Sequence, residues 1–101
     1  MGVYEIRFAR DVVKDLQRAP AFHRRQIVMA IESQLGHTPA VATRNRTPLA
    51  NLIPPWPADP PVWELRVGVS RVFYDVDEEQ QVVNVRAIRR KPGGRMTEEI
   101  L

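Results

Sequence analysis

The 101-residue sequence contains no cysteine, which excludes disulfide bonds and thiolate chemistry within this chain. It has no apolar run near the ~20 residues that a membrane-spanning helix needs. Its first residues also lack the apolar core of a secretory signal peptide. These absences predict a soluble cytoplasmic protein that does not contact a membrane.

Recognisable metal and cofactor motifs are missing as well. The two histidines, His23 and His37, have no second ligand at the spacing that zinc sites use. There is no glycine-rich phosphate loop and no apparent Ser/His/Asp set. We therefore expect no metal and no cofactor, and we interpret both histidines as surface residues.

The composition is that of one small globular domain with a positive charge. Apolar residues make up 44% of the chain, and 15 basic residues against 12 acidic ones give a net charge of +3. We predict that residues 1–101 form a single domain around one core. The positive balance favours an anionic partner, although charges that only solubilise the surface would give the same count.

The N-terminal third predicts a strand and two helices. Residues 3–8 alternate between apolar and polar side chains, which is typical of a strand with one buried face. Residues 11–18 change to helical spacing, and a second helix is predicted over residues 20–36, where Ile27, Ile31 and Leu35 recur at steps of four. Pro20 suits the first turn of that helix and Gly36 its end.

A proline-rich segment follows at residues 37–61, with prolines at 39, 48, 54, 55, 57, 60 and 61. Because proline lacks a backbone donor and restricts φ, we predict a long loop here rather than regular structure. We assign it to the same domain, since residues 1–36 contain too little sheet to stand alone. Trp56 is interpreted as a residue that packs the loop onto the core rather than as a contact residue.

The strongest local pattern is a β-hairpin over residues 63–74. Gly68 and Val69 fit a two-residue turn with glycine at its first central position. That register places Arg66 directly opposite Arg71, and like charges in such a pair are destabilising. An anion or an acidic partner between the two guanidinium groups would relieve the repulsion.

A last strand is predicted over residues 81–88, after a turn at residues 77–80. We expect Val83, Val85 and Ala87 to share one face, with Arg86 and Ile88 on the other. A basic tail follows: five basic residues and no acidic one lie between Arg86 and Arg95. Such a run favours an anionic partner over solvent alone.

This order of elements predicts an α+β fold. We expect two N-terminal antiparallel helices packed on one face of a mainly antiparallel four-stranded sheet, in the order β-α-α-β-β-β. The other face of the sheet would carry Glu64, Arg66 and Arg71, with Arg86 as a further candidate.

Three stretches of the sequence resemble the RelE/ParE superfamily of bacterial type II toxins. They are Trp-Glu-Leu-Arg-Val-Gly at residues 63–68, Arg-Val-Phe-Tyr-Asp-Val at residues 71–76, and Val-Asn-Val-Arg-Ala-Ile-Arg-Arg-Lys at residues 83–91. The start of the chain, through residues 6–16, is also similar to that family. The resemblance covers nearly the whole chain, but the proline-rich insert is longer than in minimal members.

The resemblance implies three kinds of partner. RelE-like members cut messenger RNA, many of them in the ribosomal A site, and they need no metal. ParE-like members share the fold but inhibit DNA gyrase and are not nucleases. Both kinds are neutralised by a cognate antitoxin protein encoded beside them.

The resemblance also implies a set of site residues. Arg71 matches a phosphate-binding arginine of the family, and Arg66 matches one basic position on the preceding strand, where arginine suits a phosphate through its planar fork. Glu64 occupies a second such position and reverses its charge, while Arg90 or Lys91 would fill the basic position after the last strand. Further RNA-binding candidates are Arg86, Arg89 and Arg95.

Cleavage of RNA also requires groups that accept and donate a proton. Active nucleases of the family often carry a tyrosine or histidine near the C-terminus, and this chain has neither after Arg86. Glu64 as base and Lys91 as acid is our own hypothesis, and a neutralising role for Glu64 is the interpretation we favour. Three functions stay open: an mRNA endonuclease (mRNA interferase), a gyrase inhibitor without nuclease activity, and a degenerate member that only binds its antitoxin.

Overall fold

A computed structural model describes residues 3–91 and 93–101 of the chain. Met1, Gly2 and Pro92, which belong to the N-terminal segment and the basic tail, lie outside the described residues. The elements in chain order are β1 (Glu5–Phe8), α1 (Arg10–Arg18), α2 (Ala21–Leu35), β2 (Arg46–Leu49), β3 (Val62–Val67), β4 (Ser70–Asp77), β5 (Val82–Arg90) and α3 (Thr97–Ile100).

The strands form a five-stranded sheet in the order β1-β5-β4-β3-β2. Only the β1–β5 pair is parallel, and the other neighbouring pairs are antiparallel. The predicted α+β class is confirmed, but the predicted four strands are wrong because β2 adds a fifth. It lies inside the segment predicted as loop, and it accommodates Pro48 because an edge strand tolerates a missing backbone donor.

The two long helices cover one face of the sheet, which we call the helix face. The spacing of Ile27, Ile31 and Leu35 brings these side chains to one side of α2, where they are buried. The cluster they join also contains Val12 of α1 and, from the sheet, Trp63, Leu65, Val67, Val72, Tyr74, Val83 and Val85. This is the larger of the two apolar clusters among the described residues.

The predicted hairpin register is confirmed. Val67 pairs with Ser70 and Arg66 with Arg71, as the alternation of side chains required. Gly68 adopts a φ of 57°, in the left-handed region that glycine enters without a steric penalty. The two central strands are therefore aligned by a turn that the sequence itself specifies.

Tyr74 and Arg46 are buried polar residues that fasten the irregular segment before β2. The Tyr74 hydroxyl donates to the Pro39 carbonyl at 2.7 Å, and burial raises the pKa of Tyr74 well above its ordinary value. Arg46 is 7% exposed, and its Nη1 donates to the carbonyl oxygens of Gln34, at 2.6 Å, and Thr38. Through these bonds Arg46 holds the end of α2 to the sheet edge.

We expect Arg46→Ala to lower the free energy of unfolding by about 1–3 kcal/mol, because it removes the donor to two backbone carbonyls in a partly buried site. Chemical denaturation in urea, followed by circular dichroism, measures this change. Arg44→Ala is the matched control, because Arg44 is exposed and its removal should change stability by no more than about 0.5 kcal/mol. Equal losses for the two variants would contradict a clamping role for Arg46.

Candidate functional site

Three arginines form a row across the three central strands of the sheet, beside the turn between β3 and β4. Arg66 of β3 pairs with Arg71 of β4, and Arg71 pairs in turn with Arg89 of β5. This arginine row lies on the face opposite the helices, which we call the arginine face. Directly paired residues of neighbouring strands have Cα atoms only about 4.5–5.5 Å apart, so three like charges are concentrated here.

A β-bulge brings Arg89 into the row. Tyr74 pairs with Val85 but Phe73 pairs with Ala87, so Arg86 is an extra residue on β5. Beyond the bulge the side chains exchange faces, and Ala87 joins the cluster on the arginine face while Ile88 packs against the helix-face cluster. The prediction that Val83, Val85 and Ala87 share a face was therefore wrong for Ala87.

Arg71 is the most constrained member of the row. Arg71 is only 9% exposed. Its Nη1 donates hydrogen bonds to the carbonyl oxygens of Gly68, at 2.7 Å, and Ser70, at 2.8 Å. Its Nε is buried and has no hydrogen-bond partner among the described residues. A buried donor without an acceptor is unfavourable, so the hydrogen bonds to the turn satisfy the Arg71 guanidinium only in part.

Arg89 is held in a different way. Its guanidinium carbon lies 5.3 Å from the centroid of the Trp56 ring, and its Nη1 donates to the Ile88 carbonyl at 3.0 Å. Trp56 itself packs against Phe73, with ring centroids 5.5 Å apart. The interpretation of Trp56 as a packing residue is confirmed, and its ring also offers Arg89 a cation–π contact.

The arginine face carries an apolar cluster beside the charged residues that were predicted for it. Val62, Phe73 and Ala87 form a second buried cluster there. The groups that pack against it come from the proline-rich loop and the C-terminal segment: Leu49, Trp56, Ala58, Ile100 and Leu101. Because these residues come from segments far apart in the chain, no local periodicity could have indicated this cluster.

Glu64 lies two residues before Arg66 on the same face of β3. It is 9% exposed, and its Oε2 accepts a hydrogen bond of 2.9 Å from the Thr97 hydroxyl at the start of α3. Across residues 3–91 and 93–101, none of the ion pairs within 4.0 Å links Glu64, or any other carboxylate, to the arginine row. The three charges of the row are therefore left without a direct acidic partner.

Arg86 is engaged inside the fold. Its Nε donates to Oδ2 of Asp75 at 2.7 Å, and its Nη2 donates to Oδ1 at 3.2 Å. Asp75 is fully buried and also accepts hydrogen bonds from the Asn84 amide and the Asp59 backbone N–H. The structure thus places this RNA-binding candidate in an ion pair that joins β4, β5 and the loop.

The other candidates lie near the row or outside it. Arg90 pairs with Ser70 and lines the helix side of the sheet, whereas strand alternation puts Lys91 on the same side as Arg89. The exposed Arg95 forms an ion pair with Glu99 at 3.3 Å. Arg66, Arg71 and Arg89 are thus the candidates that the sheet brings together.

Two kinds of feature are missing from the described ranges. There, no three side chains of His, Cys, Asp or Glu come together in a way that could hold a metal ion. None of the helices in the same ranges combines the length and the apolar character needed to cross a membrane.

Residues 6–91 match the family model of the ParE toxin of the type II toxin-antitoxin system parDE. The chain belongs to the ParE toxin family. This places it in the RelE/ParE superfamily, as the sequence resemblance implied, and makes it a toxin of the type II class. No curated protein matches the sequence of this ParE-family toxin.

Solved structures share its fold. The archaeal RelE–RelB complex from Pyrococcus horikoshii is 25% identical in sequence and superimposes with a TM-score of 0.70. The matched region covers 93% of this chain and 99% of the archaeal chain. The RelBE2 toxin-antitoxin complex from Mycobacterium tuberculosis has 22% identity and a TM-score of 0.71, covering 90% and 94%. The isolated E. coli RelE toxin has 16% identity and a TM-score of 0.66, covering 95% and 90%.

We expect Arg86→Gln to lower the free energy of unfolding by about 2–4 kcal/mol, because it leaves the buried Asp75 carboxylate without its charged partner. Urea denaturation measures the loss. The double variant Asp75→Asn/Arg86→Gln should recover part of it, since the unpaired buried charge is then gone. Arg90→Gln, at an exposed position, serves as control, and an Arg86→Gln protein as stable as that control would refute the structural role.

Proposed function

We propose that this toxin cuts messenger RNA without a metal ion and that the arginine row holds the scissile phosphate. The observation that carries the proposal is the row itself: Arg71 is held by the turn carbonyls between two further arginines, and among the described residues no carboxylate lies within 4.0 Å of the three guanidinium groups. A phosphate placed against this row would remove the repulsion between neighbouring guanidinium groups.

The reaction would be an attack of the RNA 2′-hydroxyl on the adjacent phosphorus. The transition state carries more negative charge on the phosphate oxygens than the starting diester does. Fixed cations at these oxygens stabilise it without reorganising, and losing one such group typically lowers the rate about 10²–10³-fold. Arginine suits this task because its planar fork can bind two oxygens at once.

Glu64 and Lys91 are the proposed proton-transfer groups. Glu64 lies one strand repeat from Arg66, about 7 Å along β3, and could accept the proton of the 2′-hydroxyl. Lys91 follows Arg89 on the same side and could donate a proton to the leaving oxygen. The arginines themselves stay protonated and are poor proton shuttles.

A cognate antitoxin is the proposed protein partner. Two of the similar structures are complexes of a toxin with its antitoxin, and the net charge of +3 favours an acidic partner segment. The proposed substrate is messenger RNA in the cytoplasm, free or bound to the ribosome. Arg95 and Arg90, outside the row, are proposed as contacts to either of these partners.

Inhibition of DNA gyrase is the second candidate function. Its support is specific: the matching family model is that of the ParE toxin, Glu64 replaces a basic residue, and neither tyrosine nor histidine follows Arg86. In this case the arginine row would bind an acidic protein surface. A degenerate toxin that binds only its antitoxin is the third candidate.

Arg71→Lys is expected to lower the rate of messenger RNA cleavage about 10²-fold, because it keeps the charge but loses the bidentate edge. Mapping the RNA ends produced with and without ribosomes measures the rate, and growth after induction gives a cellular readout. Arg25→Lys is the matched control, since Arg25 is exposed on α2 and remote from the row. Unchanged cleavage by the Arg71→Lys protein would overturn the assignment of Arg71.

The same preparation separates the two main candidate functions. A wild-type protein that arrests growth and leaves messenger RNA intact, while blocking supercoiling by purified gyrase, would refute the nuclease and support the gyrase inhibitor. Normal growth with soluble protein and no antitoxin present would instead support the degenerate toxin.

Glu64→Gln distinguishes the two roles considered for Glu64. If Glu64 is the general base, the neutral amide should lower cleavage about 10²–10⁴-fold while leaving RNA affinity unchanged or higher. If it only lowers the local positive charge, cleavage should persist and RNA affinity should rise. Binding is measured with an RNA whose scissile 2′-hydroxyl is replaced by hydrogen, so that affinity and rate are read separately.

A further inference from the structure

A cavity of about 280 Å³ opens at the seam between α1 and the second half of β5. β1 pairs only with residues 82–85 of β5, so beyond the bulge this edge of the sheet has no neighbouring strand and α1 lies beside it. We call the cavity the seam pocket. Its lining includes Asp11, Lys14, Asp15, Arg18, Trp56 and Arg89.

The seam pocket adjoins the arginine row because Arg89 belongs to both. Arg89 pairs with Arg71 across β4 and β5, so the pocket begins one residue away from the best-supported phosphate ligand. From α1 the pocket receives side chains at positions i, i+3, i+4 and i+7, which lie on one face of a helix. A flexible chain bound at the row could therefore continue into the pocket.

The side chain of Arg89 is held in place where it lines this pocket. Trp56 supports the guanidinium from one side at 5.3 Å, Phe73 supports Trp56 in turn, and the Ile88 carbonyl holds one terminal nitrogen of Arg89. Guanidinium planes and aromatic rings are the two kinds of surface on which proteins stack the bases of single-stranded RNA. An arginine fixed in this way loses little conformational freedom when a base stacks on it.

The charges of the pocket suit a small ligand rather than a long polyanion. Four cationic side chains and two carboxylates line it, and one of the cations, Arg86, is already paired with the buried Asp75. The remaining positive excess is modest, enough for one phosphate group. Its volume of about 280 Å³ also lies just below the range of about 300–1,000 Å³ for small-molecule sites.

We propose that the seam pocket binds one nucleotide of the RNA next to the scissile phosphate. The base stacks on the Arg89 plane backed by Trp56, and Lys14 and Arg18 bind the phosphate that adjoins this nucleotide. The assignment rests on the proposed nuclease function for its biological meaning, but the pocket and its ligand class are tested without cleavage. Trp56, Lys14 and Arg18 would then influence which sites in a messenger are cut.

Adenosine 5′-monophosphate is the first probe, with adenosine and inorganic phosphate as separate arms. Binding is measured by calorimetry and by quenching of tryptophan fluorescence, since Trp63 is buried in the helix-face cluster and only Trp56 lines the pocket. Arg89→Lys keeps the charge and loses the plane, and should weaken the nucleotide about 10-fold. Lys14→Ala should weaken the nucleotide but not adenosine, which lacks the phosphate.

The control is Arg25→Ala, which removes one exposed charge outside the pocket and should leave nucleotide affinity within 2-fold of wild type. Trp56→Phe is a second variant at the stacking surface, and circular dichroism confirms that each variant is folded. Inorganic phosphate that binds as tightly as the nucleotide would overturn the proposal, because the site would then be an anion site alone. Loss of antitoxin binding without loss of nucleotide binding in Lys14→Ala would overturn it as well.

The experiments distinguish an error in the proposed nucleotide-binding pocket from an error in the proposed nuclease function. If the protein binds the nucleotide in an Arg89-dependent way but does not cut RNA, the nucleotide-binding pocket is supported and the nuclease function is refuted. If the protein cuts RNA, but Lys14→Ala and Trp56→Phe change neither the cleavage positions nor the nucleotide affinity, the nuclease function is supported. The nucleotide-binding pocket is then refuted.

Discussion

The buried carboxylate of Asp75 is the group on which the arginine face depends. It lies on the central strand β4 with no exposed surface, where an unpaired charge would be strongly unfavourable. It is satisfied by Arg86, by Asn84 and by the backbone N–H of Asp59, and so it ties the bulge and the proline-rich loop to the sheet. The same loop brings Trp56 into contact with Phe73 and Arg89. The position of Arg89 therefore depends on a carboxylate that lies four residues along β4 from Arg71, the partner of Arg89.

The arginine row exists because its surroundings are rigid enough to hold like charges together. Arg71 is held by turn carbonyls, Arg89 by a tryptophan and a carbonyl, and Arg66 is exposed to water. None of these contacts neutralises the positive charge. Those of Arg71 and Arg89 offset part of the cost of removing the guanidinium groups from water and fix the orientation of the side chains. Such an arrangement is pre-organised for an anion, since the protein has already ordered the side chains that would bind it.

The parts of the fold that the sequence predicts well are those set by local interactions. The hairpin register depends on one glycine with positive φ and on strict alternation, and both signals lie within residues 62–77. The two helices follow from apolar spacing in the same way. Trp56 was interpreted correctly from a general argument, that a large apolar ring among prolines is more stable when packed.

The parts that were missed depend on distant partners. β2 has only four residues, one of them proline, and it forms because β3 offers a free edge sixteen or so residues later. The Asp75–Arg86 pair joins side chains eleven residues apart on different strands. The second apolar cluster combines the loop with the last residues of the chain, so no window of sequence contains its pattern.

The extra residue at Arg86 has an evolutionary consequence. If the same residues of β5 paired with β4 without a bulge, Arg90 would face the side that Arg89 now faces, and Ile88 would stand opposite Arg71. The presence or absence of this one bulge therefore decides which basic side chains the second half of β5 places on the arginine face, with no change in composition. Positions in β5 of related chains are therefore comparable only where the strand pairing, and not merely the sequence, has been matched.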